Sequence, residues 1–123
     1  VVFGTPKGDI HDLGKNIVIT MMKAHSFAVY DLGIDVPPGK FILELQRTGS
    51  SILAMSALMT PTFEAMKEII QRLKEQGLRE KIFVIIGGAV TSELVRREVG
   101  ADAQTLDPTE AIRLCRNYLR TRR

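Results

Sequence analysis

The 123-residue sequence has one cysteine, few aromatic residues (6%) and little net charge, +3 from 17 basic and 14 acidic side chains. The single Cys115 excludes an internal disulfide and a zinc cage built on thiolates. It falls in the apolar stripe of the last predicted helix and reads as core. No stretch approaches the ~18 apolar residues of a membrane span, and no signal peptide is visible. The expected compartment is therefore the cytoplasm, with no membrane partner. The positive surplus is more than matched by Arg116, Arg120, Arg122 and Arg123, a helix end that complements the dipole. Without basic residues interleaved with aromatics on one face, no nucleic-acid partner is expected. No internal repeat, linker or low-complexity segment interrupts the chain. Residues 1–123 read as one domain, large enough to bury about two-thirds of its unfolded surface without staples. The chain opens Val-Val-Phe already in strand register, with no initiator Met, and is expected to be a piece of a longer protein.

Strand-like and helix-like stretches alternate five times. The predicted strands are Val1–Thr5, Phe27–Leu32, Ser51–Ser56, Ile82–Gly87 and Asp102–Thr105. The second to fourth are mostly apolar, as for strands covered on both faces. Helical stripes are formed by Leu13, Ile17, Val18, Met21 and Met22, by Phe63, Met66, Ile69, Ile70 and Leu73, and by Ile112, Cys115, Tyr118 and Leu119. Pro38–Thr48 and Ser92–Val99 fit more weakly. Asp107-Pro108-Thr109-Glu110 carries a capping acceptor, a proline at the first helical position and a Glu three residues after the cap. Gly49, Gly77 and Gly100 stand where helices should end. This rhythm with short connections implies a parallel sheet with helices on both faces.

Ligands of such sheets bind at the carboxyl ends of the strands. Three of those ends carry distinctive residues: Gly8-Asp9-Ile10-His11-Asp12-Leu13-Gly14 after the first strand, Ser56-Ala57-Leu58-Met59-Thr60-Pro61-Thr62 after the third, and Gly87-Gly88-Ala89 after the fourth. His11 with Asp9 two residues before it has the pattern of a metal-ligating imidazole whose second ring N–H is held by a carboxylate. By position alone, Asp12 reads as a first-turn acid, and Lys15 and Asn16 as exposed helix residues, with a contact to a cofactor's side chains or phosphate as the other reading for both. His25 reads as structural, and Met21, Met22, Met55 and Met66 as core. Met59 belongs to the loop that should border a ligand.

These loops, in this order, resemble the cobamide-binding domain of corrinoid-dependent methyltransferases, the methionine synthase family. Residues 8–16 resemble its extended Asp-x-His-x-x-Gly signature, Ser56-Ala57-Leu58 its Ser-x-Leu element and Gly87-Gly88 its Gly-Gly element. Asp31-Leu32-Gly33 and Gly100-Ala101-Asp102-Ala103 also resemble family positions. The implied fold is a flavodoxin-like (Rossmann-like), doubly wound five-stranded parallel sheet of order 2-1-3-4-5. The implied cofactor is a cobamide, cobalamin or a variant with another lower base, with its cobalt. It lies over the strand ends, its lower base displaced from the metal into a slot beside the sheet, and His11 takes the vacated axial position. Gly8, Asp9, Ile10, His11, Asp12, Gly14, Ser56, Leu58, Met59, Thr60, Gly87, Gly88 and Ala89 are the implied cofactor contacts. Gly14, Gly87 and Gly88 should let the tail pass close to the backbone, and Ser56 and Thr60 should offer it hydroxyls. A relay Thr62–Asp9–His11 should fix which ring nitrogen faces cobalt and couple ligand strength to proton uptake.

The implied function is a corrinoid protein that carries a methyl group on cobalt between a substrate:corrinoid methyltransferase and a methyl-acceptor methyltransferase, with a reductive activase as a further partner. Such a domain turns over no substrate alone. The cobamide domain of an adenosylcobalamin-dependent mutase and a cobamide-sensing regulatory module are the alternatives. Two departures stand out. Family members often carry glycine where His25 or Ser26 stands, which affects a turn. An aromatic often stands where this chain has Gln104, which would make the wall near the base more polar. The family's helical bundle that caps the upper face of the corrin is not in these residues.

Overall fold

The computed structural model describes residues 1–8, 13–57 and 59–121, the side chain of Leu13 excepted. The elements run β1 (Val2–Gly4), α1 (Leu13–Ala24), β2 (Tyr30–Asp31), α2 (Pro38–Thr48), β3 (Ile52–Ser56), α3 (Thr62–Glu75), β4 (Phe83–Gly87), α4 (Glu93–Val99), β5 (Ala103–Gln104) and α5 (Pro108–Thr121), with a 3-10 turn at Arg79–Lys81. All strand pairings are parallel, in the order β2-β1-β3-β4-β5. The expected architecture and strand order are present.

The sheet separates two cores, because successive strand residues point to opposite faces. Leu53, Met55, Val84 and Ile86 pack with Phe41, Leu45, Met66, Ile69 and Leu73 of α2 and α3. Phe3, Ile52, Ala54 and Ile85 face α1 and α5 through Ile19, Met22, Ala111, Ile112 and Cys115. Burial raises the Cys115 thiol to about 11, so it is a protonated core group. The first face is filled by large side chains. The second has alanine at 54 and 111, which leaves space near the strand ends.

Helix ends follow local chemistry. The Thr109 N–H donates to Asp107 Oδ1 at 2.9 Å, capping α5 with Pro108 as its first residue. Glu110 does not reach back to the cap; it accepts from Arg113 Nε at 2.9 Å. Gly49 and Gly100 close α2 and α4 with φ of 67° and 86°, and Gly77 follows α3 with φ 70°.

Three expectations need correction. The second strand is a two-residue edge strand with both residues exposed, not an apolar strand over Phe27–Leu32, because Phe27 and Val29 pack against the α1/α5 core before the ladder begins. In α1, Ile19 is buried whereas Ile17 is 49% exposed, so the helix is rotated from the expected stripe. Leu119, assigned to the α5 stripe, is 39% exposed, one turn beyond the core. Arg116 is also more than a solvated charge. It donates to the His25 carbonyl at 2.8 Å and lies over the Phe27 ring at 5.6 Å, tying α5 to the turn after α1. Arg122 and Arg123 lie outside the described residues.

Candidate functional site

The small residues of the α1/α5 face become a slot at the carboxyl ends of the strands. Its volume is about 420 Å³, within the range of small-molecule sites. Phe3, Met22, Ala54 and Ile85 lie toward the core, Gly14, Ile17 and Val18 come from α1, and Thr105 to Pro108 and Ala111 come from the start of α5. Ser56, Gly87, Gly88 and Ala89 belong to the central strand ends. The rotation of α1 has its reason here, since Ile17 is turned toward the slot rather than into the core. Leu106, also 64% exposed, is in the opposite wall.

The glycines divide by what surrounds them. A Cβ on Gly88, at φ +106°, would stand 2.0 Å from the Ala57 carbonyl oxygen, and one on Gly87 would stand 2.9 Å from the Thr105 oxygen. Neighbouring backbone therefore demands glycine at both positions, a reason internal to the fold that differs from the expected ligand approach. The Ala57 N–H donates to the Gly87 carbonyl at 2.9 Å across the same junction. At Gly14 a Cβ would meet no protein atom within 4 Å, so packing does not require glycine there. The open space beside it belongs to the slot.

Polar groups are few and held in place. Ser56 Oγ lies 2.9 Å from Thr5 Oγ1, and Thr5 has no exposed surface. Lys15, expected to be exposed, is 3% exposed and in the slot wall. Its ammonium donates to Asp31 Oδ1 at 2.8 Å and to Asn16 Oδ1 at 3.0 Å. Partial burial pushes the Asp31 carboxyl up. The hydrogen bonds from Lys15 and the Gly33 N–H outweigh that effect, and the carboxyl ends below the usual range.

The N–H of Gly8 donates to Asp35 Oδ1 at 2.8 Å. The segment before the signature is laddered to the segment after β2 by Thr5 N–H to the Gly33 carbonyl, Val36 N–H to the Thr5 carbonyl, and Lys7 N–H to the Val36 carbonyl. The residues flanking 9–12 on both sides are thus anchored to the same Asp31–Val36 stretch.

Of the expected contacts, Gly14, Ser56, Gly87, Gly88 and Ala89 meet in the slot wall. Gly8, Met59 and Thr60 are exposed and outside it. Thr62 is buried at the start of α3. Asp9, Ile10, His11, Asp12 and Leu58 lie outside the described residues. Gln104 is not in the wall; its amide donates to Thr91 Oγ1 at 3.3 Å. Ile17 and the Thr105–Pro108 turn were not among the expected contacts, and Lys15 was expected on the surface, with a cofactor contact as the other reading. The excess of apolar residues on α1, five within 17–22, was a signal that one helix face could not bury them all. Among the described residues no helix is long and apolar enough to cross a membrane.

A family model described as the B12 binding domain matches residues 1–113. Dimethylamine corrinoid protein 1 of Methanosarcina mazei is 39% identical over 119 residues, 97% of this chain and 55% of that protein. A solved cobalamin-binding protein from Desulfitobacterium hafniense DCB-2 superposes with a TM-score of 0.93 at 38% identity, covering 95% of this chain and 57% of that one. The methanol:cobalamin methyltransferase complex of Methanosarcina barkeri gives 0.92 at 30% identity, over 98% of this chain and 46% of that one. The chain spans about half the length of these relatives.

Proposed function

Because the chain belongs to the B12-binding domain family and takes a cobamide with its cobalt, we propose that it is the methyl-carrying part of a corrinoid protein. It serves a substrate-side methyltransferase and an acceptor-side methyltransferase, with a reductive activase restoring the carrier. The observation that carries this reading is the slot itself. It is an apolar cleft at the strand ends, flanked by Gly14 of the Asp-x-His-x-x-Gly signature and by Ser56, and its volume and mostly apolar lining suit a mostly apolar group such as a cobamide's lower base. The bound cofactor supplies a metal centre that accepts and releases a methyl group.

In this reading the chain's own residues do the rest. His11 would hold the cobalt through one ring nitrogen. Asp9 accepts its second ring N–H and fixes the tautomer, and the Thr62 hydroxyl extends that relay. Gly14 keeps the slot open on the α1 side. Ser56 hydrogen-bonds the base, and Ile17, Val18 and Ala111 exclude water from it. Ile10, Asp12, Leu58, Met59, Thr60, Gly87, Gly88 and Ala89 complete the contacts, with Gly8, Met59 and Thr60 at the exposed rim. Gly8 and Lys15, on either side of residues 9–12, are held by Asp35 and Asp31.

Equilibrium titration of the apo chain by absorption spectroscopy tests the seat, using a complete cobamide and a cobinamide that lacks the nucleotide tail. Burying roughly 100 Å² of apolar tail surface contributes about 2.5 kcal/mol, so the complete cobamide should bind nearly two orders of magnitude tighter. Equal affinities would contradict a base held in the slot. Labelled methyl should pass from a donor to the reconstituted chain only when a donor-specific corrinoid methyltransferase is added. Failure with every methylamine and methanol enzyme tried would contradict the carrier role.

A further inference from the structure

Thr5 and Ser56 form a two-hydroxyl chain whose direction is fixed by burial. The register Gly4↔Met55 and Ser56↔Gly87, continued by one residue, puts Thr5 beside Ser56 on the α1/α5 face. The two oxygens are 2.9 Å apart. Thr5 has no exposed surface, and its hydroxyl carries one hydrogen. Among the described residues, Ser56 Oγ is the acceptor within its reach. If Ser56 donated to Thr5, the Thr5 hydrogen would be left unpaired in the interior, which is strongly disfavoured. Thr5 therefore donates and Ser56 accepts. The single Ser56 hydrogen is then left to point away from Thr5, and Ser56 is itself in the slot wall. The slot thus presents a donor at that spot.

We propose that Thr5 is a positioning residue that makes the slot selective for a lower base with an unprotonated ring nitrogen. This rests on the reading that the slot holds the base. A benzimidazole or purine base detached from the metal has such a nitrogen and can accept the Ser56 hydrogen. A phenol-type base has no ring acceptor and leaves that donor unmatched. Rejection of an analogue that cannot complete a buried hydrogen bond is the way a polar group in an apolar site earns specificity.

The test compares apparent Kd values of a benzimidazolyl cobamide and a phenolyl cobamide for the apo chain, by absorption titration. Wild-type protein should favour the benzimidazolyl form by about five- to tenfold, the order of one net hydrogen bond. Ser56→Ala should bring the ratio to about one. Thr5→Val, similar in volume but unable to donate, should lower it to about twofold or less, and Thr5→Ser should restore it. The ratio reads selectivity, so a general loss of stability leaves it unmoved; denaturant midpoints are recorded alongside. Should Thr5→Val not fold, Thr5→Ala is read in the same way. A ratio that falls in Ser56→Ala but not in the Thr5 variants overturns the role of Thr5. A wild-type ratio of one, with the cobamide still far tighter than cobinamide, overturns the hydrogen bond while leaving the base in the slot. Equal binding of cobamide and cobinamide overturns the slot reading beneath both.

Discussion

Alanine at Gly14 and at Gly88, introduced one at a time, should move stability in opposite directions. At Gly88 the new methyl would stand 2.0 Å from the Ala57 oxygen and 2.7 Å from the Ala57 nitrogen, on a residue at φ +106°. The left-handed conformation costs about 1–2 kcal/mol for an L-residue, and forcing the β3 and β4 ends apart adds about 1–3 kcal/mol. The Ala57 N–H bond to Gly87 is strained at the same place. A loss of about 3 kcal/mol or more is expected, which at a urea m-value of about 1–3 kcal/mol/M lowers the midpoint by roughly 1 M or more. At Gly14 the methyl meets no protein atom within 4 Å, and a helical glycine replaced by alanine gains about 0.5 kcal/mol. The apo chain should become slightly more stable. The same methyl intrudes on the slot, so cobamide affinity should fall about tenfold, from overpacking of about 1–3 kcal/mol. Urea unfolding of the apo chain and absorption titration with cobamide supply both readouts. A Gly88→Ala loss below about 1 kcal/mol, or Gly14→Ala binding at wild-type strength, would refute the division between a glycine the fold requires and one the ligand requires.

Three other outcomes follow from the geometry. Ser26 sits at φ 71°, so Ser26→Gly should raise apo stability by up to about 1 kcal/mol in thermal or urea unfolding, with no change in cobamide binding. Ile17 is half exposed in the slot wall; Ile17→Thr should leave apo stability within about 0.5 kcal/mol while weakening the complete cobamide more than cobinamide. The Asp31 carboxyl is held below its ordinary range. Its contribution is present above the unfolded carboxylate pKa of about 3.9 and lost as the pH falls through the lower folded value. Since the Asp31 side chain is 38% exposed, the effect is less than about 1 kcal/mol. Unfolding of Asp31→Asn between pH 5 and 2 should show a flatter acid limb than wild type, and superimposable limbs would sink this assignment.

The sheet, its order and the strand ends at which the candidate slot opens were legible because they rest on strong local signals. Apolar runs the length of a strand, the Asp107-Pro108 cap and helix-ending glycines all agree with one topology. Other features depend on the tertiary arrangement. Ile17 and Ile19 are both compatible with a core stripe, and only the position of α5 decides which one faces the slot. Lys15 reads as a surface residue in a helix; its burial depends on Asp31, sixteen residues away, arriving at the neighbouring strand end. Gly87 and Gly88 were expected in the site, but the backbone neighbours that require them, Thr105 and Ala57, come from the ends of other strands. Phe27 and Val29 carry strand-forming side chains, yet they pack into the α1/α5 core before reaching the ladder, and packing overrides propensity there.

The proposed binding mode turns on one bond, in which the imidazole at position 11 would replace the cofactor's own base at the metal. EPR of the Co(II) form, prepared in protein carrying ¹⁵N-labelled histidine and natural-abundance cobamide, tests it directly. The superhyperfine triplet should become a doublet in the labelled protein, and His11→Ala should remove it. A triplet that persists in the labelled protein, arising from the nucleotide base, would contradict it.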